Sequence, residues 1–198
     1  MLIGSSNSLT YIKPMNMWCE FFHRLLRYQE EDCINQYKYC GIRFFDFKLS
    51  VGKHGEINAK SGSVVYPVYN MYEILSFFDS CGDVTIRVTL EKTFSEHMGI
   101  YHTSIDDKFK SFCNSLDVIY EHIKFCGGYR RVDGVRLFTF TSEDKENPLY
   151  VIDVNEYSWW YKIATRVFPF MRKKLNQKYI EKFKGHSGYL LLNYVADK

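Results

Sequence analysis

Asp46 and Lys48 carry opposite charges and lie two positions apart in one predicted strand. Because side chains alternate across a strand, the carboxylate and the ammonium project from the same face. A lysine ammonium can neutralise a bound phosphate as a point charge, which makes Lys48 a candidate anion ligand. Five further polar residues fall at or just past strand ends: Ser6, Asn7, His54, Glu91 and Asn193.

Each of these residues also has a purely structural interpretation. Lys48 could form an internal ion pair with Asp46 or Glu91 that only fills the interior of the sheet. His54 could be an ordinary loop histidine. Ser6 and Asn7 could be turn or cap residues. Their shared position at strand ends favours a common site, because parallel α/β sheets keep their chemistry at that edge.

The strands that must position these groups alternate with helices. Residues 41–49 are apolar almost throughout, as expected for a parallel strand covered on both faces. Residues 83–91 alternate apolar and polar, and residues 188–195 form a final buried strand. Shorter strands are predicted at 135–140 and 149–154. Strands separated by helices predict an α/β fold with a parallel sheet.

Four helical regions are predicted between the strands: 18–39, 70–81, 104–123 and 158–183. Gly82 follows the second of them, where a left-handed residue commonly ends a helix. Gly127 and Gly128 are predicted to end the third region, and Pro169 interrupts the fourth.

Composition limits the class of protein. The chain has 198 residues, 46% hydrophobic and 18% aromatic, which suits a single domain spanning 1–198. No stretch reaches the roughly 18 apolar residues of a membrane span, and no signal peptide is evident. The six cysteines form no Cys-x-x-Cys pair, which predicts reduced thiols in a cytoplasmic protein. The histidines show no metal-ligand spacing, so no metal site is expected.

Several segments in order resemble the phosphatidylinositol-specific phospholipase C X-domain family. Residues 3–11 (IGSSNSLTY) resemble its first strand and loop, normally Gly-Ser/Thr-His followed by Asn or Asp. Gln29, Ile34 and the Gln36-Tyr37 pair match the following positions of the family. Residues 41–48 (GIRFFDFK) resemble Gly-Val-Arg-Tyr-Phe-Asp-Leu-Arg, and His54-Gly55 resembles the second histidine motif.

The resemblance implies a small distorted (β/α) barrel of the TIM type with mostly parallel strands. In the metal-independent bacterial members, one histidine deprotonates the inositol 2-hydroxyl, an arginine holds the phosphate and a second histidine protonates the leaving oxygen. An aspartate on the last strand orients the first histidine. The matching positions here are Ser6, Lys48, His54 and Asn193, and of these only His54 is unchanged. Asp46 joins Ser6, His54 and Asn193 as a catalytic position.

Ser6 is the most damaging substitution, because a serine hydroxyl does not take up a proton near neutral pH. Losing a positioned base costs about 10² to 10⁴ in rate. Lys48 keeps a positive charge without the bidentate geometry of a guanidinium, so the site should bind phosphate better than it reacts. Asn7 and Glu91 join Lys48 as expected phosphate-binding positions.

The calcium-dependent branch of the family implies a different use of the same residues. It places Asn and acidic ligands at positions that resemble Asn7, Asp46 and Glu91, so a calcium ion is an alternative. Lys48, however, stands where that branch has a further carboxylate, and an ammonium in the coordination sphere opposes a cation. The expectation is therefore a site without a cofactor or metal.

Trp159 and Trp160 precede the basic run 172–174, a combination that suits peripheral contact with an anionic membrane. The alternative is that these rings pack a helix onto the sheet. Residues 162–184 hold eight Lys and Arg against one acid, while the whole chain has a net charge of +3. The remainder is thus net acidic, and nucleic acid is not expected as a partner.

The sequence is compatible with three functions. The first is a phospholipase C-like phosphodiesterase fold with an impaired site that still binds phosphate or inositol phosphate. The second is an active phosphoric diester hydrolase on an unidentified phosphodiester, with His54 as general acid. The third is an interaction or scaffold protein that uses the surface around Trp159.

Overall fold

The computed structural model describes residues 1–14, 20, 27–52, 54–62, 64–91, 102–131, 134–138, 151–185 and 187–197. Within these ranges the strands are β1 (Leu2–Ser5), β2 (Phe44–Val51), β3 (Ile57–Ser61), β4 (Val64–Tyr66), β5 (Thr85–Leu90), β6 (Lys124–Arg131), β7 (Gly134–Phe138), β8 (Val151–Asp153) and β9 (Tyr189–Leu192). The helices are α1 (Cys33–Cys40), α2 (Met71–Cys81), α3 (His102–Ile119), α4 (Val154–Tyr157), α5 (Trp159–Val167) and α6 (Arg172–Lys182).

One sheet holds all nine strands of the described ranges, in the order β7-β6-β5-β2-β1-β9-β8, with the β3-β4 hairpin attached to β2. In this order, each strand from β6 to β5, β2, β1, β9 and β8 is parallel to the next. Strand β7 is antiparallel to β6. The carboxyl ends of the parallel strands therefore meet at one edge. This confirms the predicted α/β architecture.

A single ion pair demonstrates that the sheet is curled. Arg87 on β5 lies 3.2 Å from Asp153 at the end of β8 (Nη2 to Oδ2), although three strands separate β5 from β8. In a flat sheet these strands would be roughly 19 Å apart at about 4.8 Å per step, beyond the reach of the two side chains. The sheet is a curled half-barrel, in agreement with the predicted barrel class.

The helices cover the outside of this sheet with their apolar faces. In α2 the buried residues Met71, Ile74, Leu75 and Phe78 recur at helical spacing. Gly82 ends the helix at φ 72°, as predicted, and its N–H bonds to the Phe78 carbonyl. The fourth predicted region is interrupted at Pro169, which opens a short 3-10 turn between α5 and α6.

Three parts of the sequence interpretation differ from the structure. Residues 27–32 are not helical, and α1 begins at Cys33 after the Asp32 side chain accepts a bond from the Asn35 N–H at 2.9 Å. Gly127 and Gly128 do not end a helical region but lie inside β6, where β5 and β7 pair with it on both sides. The β3-β4 hairpin was not predicted, because its short strands carry no long apolar run.

Within the part of the chain that the structure describes, no helix combines the length and the apolar character needed to span a membrane.

Candidate functional site

Asp46 lies at the centre of the polar cluster inside the curled sheet. Its side chain is fully buried and accepts a hydrogen bond from Arg87 Nε at 2.7 Å and from the Asn7 N–H at 3.1 Å. The loop that follows β1 is fixed against β2 by a second bond, from the Asp46 N–H to Ser8 Oγ at 2.9 Å. Although burial opposes a negative charge, the cations Arg87 and Lys48 keep the pKa of Asp46 below its usual range.

Lys48 projects from the same face of β2, as the sequence parity predicts. Its ammonium lies 3.8 Å from Asp46 Oδ2, too far for a hydrogen bond, and its side chain is 11% exposed. Burial opposes the charge, but the carboxylates of Asp46 and Asp153 outweigh it and raise the pKa of Lys48. Lys48 is therefore a charged group, and its ammonium donates no hydrogen bond within the described residues.

Arg87 and Asp153 belong to this cluster but were not among the site residues predicted from the sequence. Arg87 joins the two carboxylates through Nε to Asp46 at 2.7 Å and Nη2 to Asp153 at 3.2 Å. The register of the sheet places Arg87 directly beside Asp46. One signal for Arg87 was present, since it shares the parity of Glu91 in the predicted strand, but nothing in the sequence indicated that Asp153 would reach it.

Ser6 and Asn193 are brought together through a third residue, Asn155. The Asn155 and Asn193 side chains exchange two hydrogen bonds of 2.8 Å. The Asn155 amide nitrogen also lies 2.9 Å from Ser6 Oγ and 3.0 Å from Asp153 Oδ1. Its two hydrogens therefore serve three acceptors. Ser6 and Asn193 are fully buried.

Helix α5 contacts Asn193, which follows β9, through two hydrogen bonds. Asn193 Nδ2 donates to Thr165 Oγ1 at 2.9 Å, and the Asn193 N–H donates to the Tyr161 hydroxyl at 2.9 Å. That hydroxyl in turn donates to Asn176 Oδ1 at 2.6 Å. Burial raises the pKa of Tyr161, so its hydroxyl stays protonated. The inner face of α5 thus forms one wall of the site.

Asn7 contacts the site through its backbone N–H, whereas its side-chain oxygen has no hydrogen-bond partner among the described residues. It adopts a left-handed conformation, with φ 47° and ψ 56°, which turns the chain sharply after β1. This turn aims its N–H at Asp46. Its side-chain oxygen is buried and accepts no hydrogen bond, an arrangement that a ligand hydroxyl or a water molecule could complete.

His54 and Glu91 are not joined to this cluster by any contact among the described residues. His54 is exposed in the loop between β2 and β3, and its N–H donates to Glu56 Oε2 at 3.0 Å. Glu91 accepts the Gly62 N–H at 2.8 Å through its carboxylate and the Lys60 ammonium at 3.2 Å through its backbone carbonyl.

The three candidate calcium ligands have different partners in the structure. Asp46 faces two cations, the Asn7 oxygen is buried, and Glu91 is bonded to the hairpin turn. In the described part of the chain, no three His, Cys, Asp or Glu side chains form a group that could hold a metal ion.

The outer face of α5 carries exposed aromatic side chains. Trp159 is 72% exposed and Trp160 52% exposed, so they do not pack the helix onto the sheet. Val167 and Phe170 are also exposed, at the other end of the helix and in the turn that follows. Of the basic run, Lys173 and Lys174 are exposed, whereas Arg172 is buried and bonds to Glu30 Oε1 at 3.0 Å.

No protein-family model matches this sequence, and no curated protein matches it. Solved structures do match the fold. The phosphatidylinositol-specific phospholipase C from Listeria monocytogenes aligns with a TM-score of 0.57 at 10% identity, over 100% of this chain and 92% of that one. A double mutant of the S. aureus enzyme aligns with a TM-score of 0.54 at 14% identity, over 98% and 84% of the two chains.

A further S. aureus structure, from work on the membrane binding of that enzyme, aligns with a TM-score of 0.52 at 13% identity. It covers 98% of this chain and 85% of that one. At these identities the likeness extends to the fold. This chain has the fold of a bacterial phosphatidylinositol-specific phospholipase C.

Proposed function

We propose that this chain binds a phosphate-bearing ligand of the inositol phosphate class at the mouth of the half-barrel, and that it is impaired as a phosphodiesterase. The observation that carries the proposal is the state of Lys48. Its ammonium is charged and partly exposed, and within the described residues it donates no hydrogen bond. A deep cation without an acceptor is costly, and a phosphate oxygen supplies the missing acceptor.

The different ion-pair contacts of Arg87 and Lys48 support this proposal. Arg87 bonds to both carboxylates of the cluster, Asp46 and Asp153, and so offsets one of their two negative charges. Lys48 makes a loose 3.8 Å contact to Asp46 and lies 5.8 Å from the Tyr28 ring centroid. An arriving anion therefore does not need to displace a short ion pair in order to contact Lys48.

The surroundings of Ser6 support the proposed loss of activity. Its hydroxyl accepts a hydrogen bond from Asn155, and no imidazole or carboxylate among the described residues contacts it. Neither an amide nor a serine hydroxyl takes up a proton near neutral pH. His54 carries a group able to transfer a proton, but the described contacts do not link it to Lys48.

We also propose that the outer face of α5 contacts an anionic membrane. Trp159 and Trp160 are exposed there, and Lys173 and Lys174 lie exposed at the start of α6. Indole rings and lysines together suit the interface of an anionic bilayer. The inner face of the same helix lines the site, so a membrane on the outer face would lie close to the mouth.

A direct test compares binding with turnover. The protein should bind myo-inositol 1-phosphate in calorimetry and should not cleave phosphatidylinositol in mixed vesicles at a rate in the usual enzyme range of about 1 to 10³ per second. Rapid cleavage would favour the alternative of an active hydrolase. Absence of both binding and cleavage would favour the alternative of a scaffold.

A further inference from the structure

We propose that Arg166 is a second anion-binding residue of this site, so that one phosphate group is held between Lys48 on the sheet and Arg166 on α5. The inference rests on the function proposed above and extends it. It assigns the phosphate contact to two walls of the mouth, the sheet and the helix that lies over it.

The two cations meet at the same aromatic ring. The Lys48 ammonium lies 5.8 Å from the centroid of the Tyr28 ring, and the Arg166 guanidinium carbon lies 4.9 Å from the same centroid. Both distances lie within the range of a cation–π contact. Tyr28 thus lies beside one positive charge from β2 and one from α5.

Tyr28 is held firmly in this position. Its N–H donates to Thr10 Oγ1 at 2.9 Å, and its carbonyl accepts from the Tyr194 N–H at 2.7 Å. The residue is 6% exposed, and its hydroxyl makes no hydrogen bond within the described part of the chain. The hydroxyl is therefore available as a donor to an anion beside the ring.

Helix α5 places the Arg166 guanidinium beside the Tyr28 ring. Thr165, the preceding residue, bonds to Asn193 at the end of β9. Arg166 Nε donates to the Lys162 carbonyl at 2.7 Å, which fixes the base of the guanidinium along the helix. Since a guanidinium presents its donors in one plane, the two Nη nitrogens of Arg166 can supply the bidentate geometry that Lys48 lacks.

The ligand class that follows is a phosphate group small enough to enter between β2 and α5. The source could be a soluble inositol phosphate or the headgroup of a phosphoinositide lipid, since both present the same group. The test therefore uses two probes: myo-inositol 1-phosphate in solution, and phosphatidylinositol in phosphatidylcholine vesicles.

Calorimetric titration of wild-type protein, R166Q, R166K and K48M with myo-inositol 1-phosphate decides the proposal. R43Q is the matched control, because Arg43 also stacks on a tyrosine, with its guanidinium carbon 3.7 Å from the Tyr37 ring centroid, but lies just before β2 at the opposite end of the strand. We expect R166Q to weaken binding about tenfold and R166K less, because lysine keeps the charge and loses the fork. R43Q should bind as wild type does.

If K48M weakens binding but R166Q and R166K leave it unchanged, the role of Arg166 is overturned and the proposed function is left intact. Absence of binding by the wild-type protein to either probe would overturn both. If R166Q does not fold, R166K decides alone, and an affinity equal to wild type would contradict the inference. A further outcome is that the protein binds the vesicles and not myo-inositol 1-phosphate. If R166Q then weakens vesicle binding, the bound phosphate belongs to a lipid headgroup.

Discussion

Asn155 and Asn193 face each other through two reciprocal 2.8 Å hydrogen bonds, and the same Asn155 amide reaches Ser6 Oγ at 2.9 Å. Where the sequence resemblance implies a histidine at position 6 and an aspartate at position 193, this chain has a neutral amide bridge. Asn155 thus occupies the space between the two positions, where an imidazole side chain from position 6 would have to fit.

This bridge predicts that restoring the implied pair will require removal of Asn155. The variant Ser6→His/Asn193→Asp should gain little activity, because the new imidazole collides with the Asn155 side chain. Adding Asn155→Ala should raise activity by more than the separate effects combined, since the residues act as a unit. Cleavage of a chromogenic inositol phosphodiester measures this, with Asn155→Ala alone as the control. Equal activity of the double and triple variants would show that Asn155 does not block the position.

Arg87 is predicted to be the main stabiliser of the buried carboxylates. Arg87→Met should lower the free energy of unfolding at pH 7 by about 3 to 5 kcal/mol, because Asp46 and Asp153 lose their shared partner. Arg43→Met is the control. It removes a more exposed arginine from its 2.7 Å pair with Asp83, worth about 0 to 1 kcal/mol.

The pH dependence of this effect has a definite sign. In the wild-type protein the pKa of Asp46 is lowered, so its contribution to stability is present above about pH 4 and is lost as the pH falls through the lowered pKa. In Arg87→Met burial dominates and raises that pKa, so the variant should become more stable as the pH falls from 7 to 5. Urea denaturation at both pH values measures this. A variant that loses stability over that range would contradict the assignment.

The sequence predicted those features of the fold and of the site that depend on local periodicity or on a single residue type. The shared face of Asp46 and Lys48, the end of α2 at Gly82 and the interruption at Pro169 all follow from spacing or from one residue type. The Arg87–Asp153 pair could not be predicted, because it depends on how strongly the sheet curls. Asn155 was missed for a similar reason, since its role depends on where α4 begins relative to β9.

The exposed face of α5 is predicted to direct binding to anionic lipid. Trp159→Ala/Trp160→Ala should reduce sedimentation with phosphatidylglycerol vesicles by at least about tenfold, since each indole buries a large area at the interface. Tyr39→Ala/Tyr69→Ala is the matched control, because those rings are 81% and 89% exposed in other parts of the chain. Equal losses in both double variants would indicate nonspecific adsorption, and no loss in the tryptophan variant would assign this face to another partner.

The central claim is that Lys48 is the anion ligand of the site, and calorimetry with myo-inositol 1-phosphate tests it most directly. Wild-type protein should bind, Lys48→Arg should bind at least as tightly, and Lys48→Met should bind at least about tenfold more weakly, as expected for loss of a charge-assisted hydrogen bond. Equal affinities of the wild-type and Lys48→Met proteins would contradict the claim and leave Lys48 as an ion-pair partner of Asp46 alone.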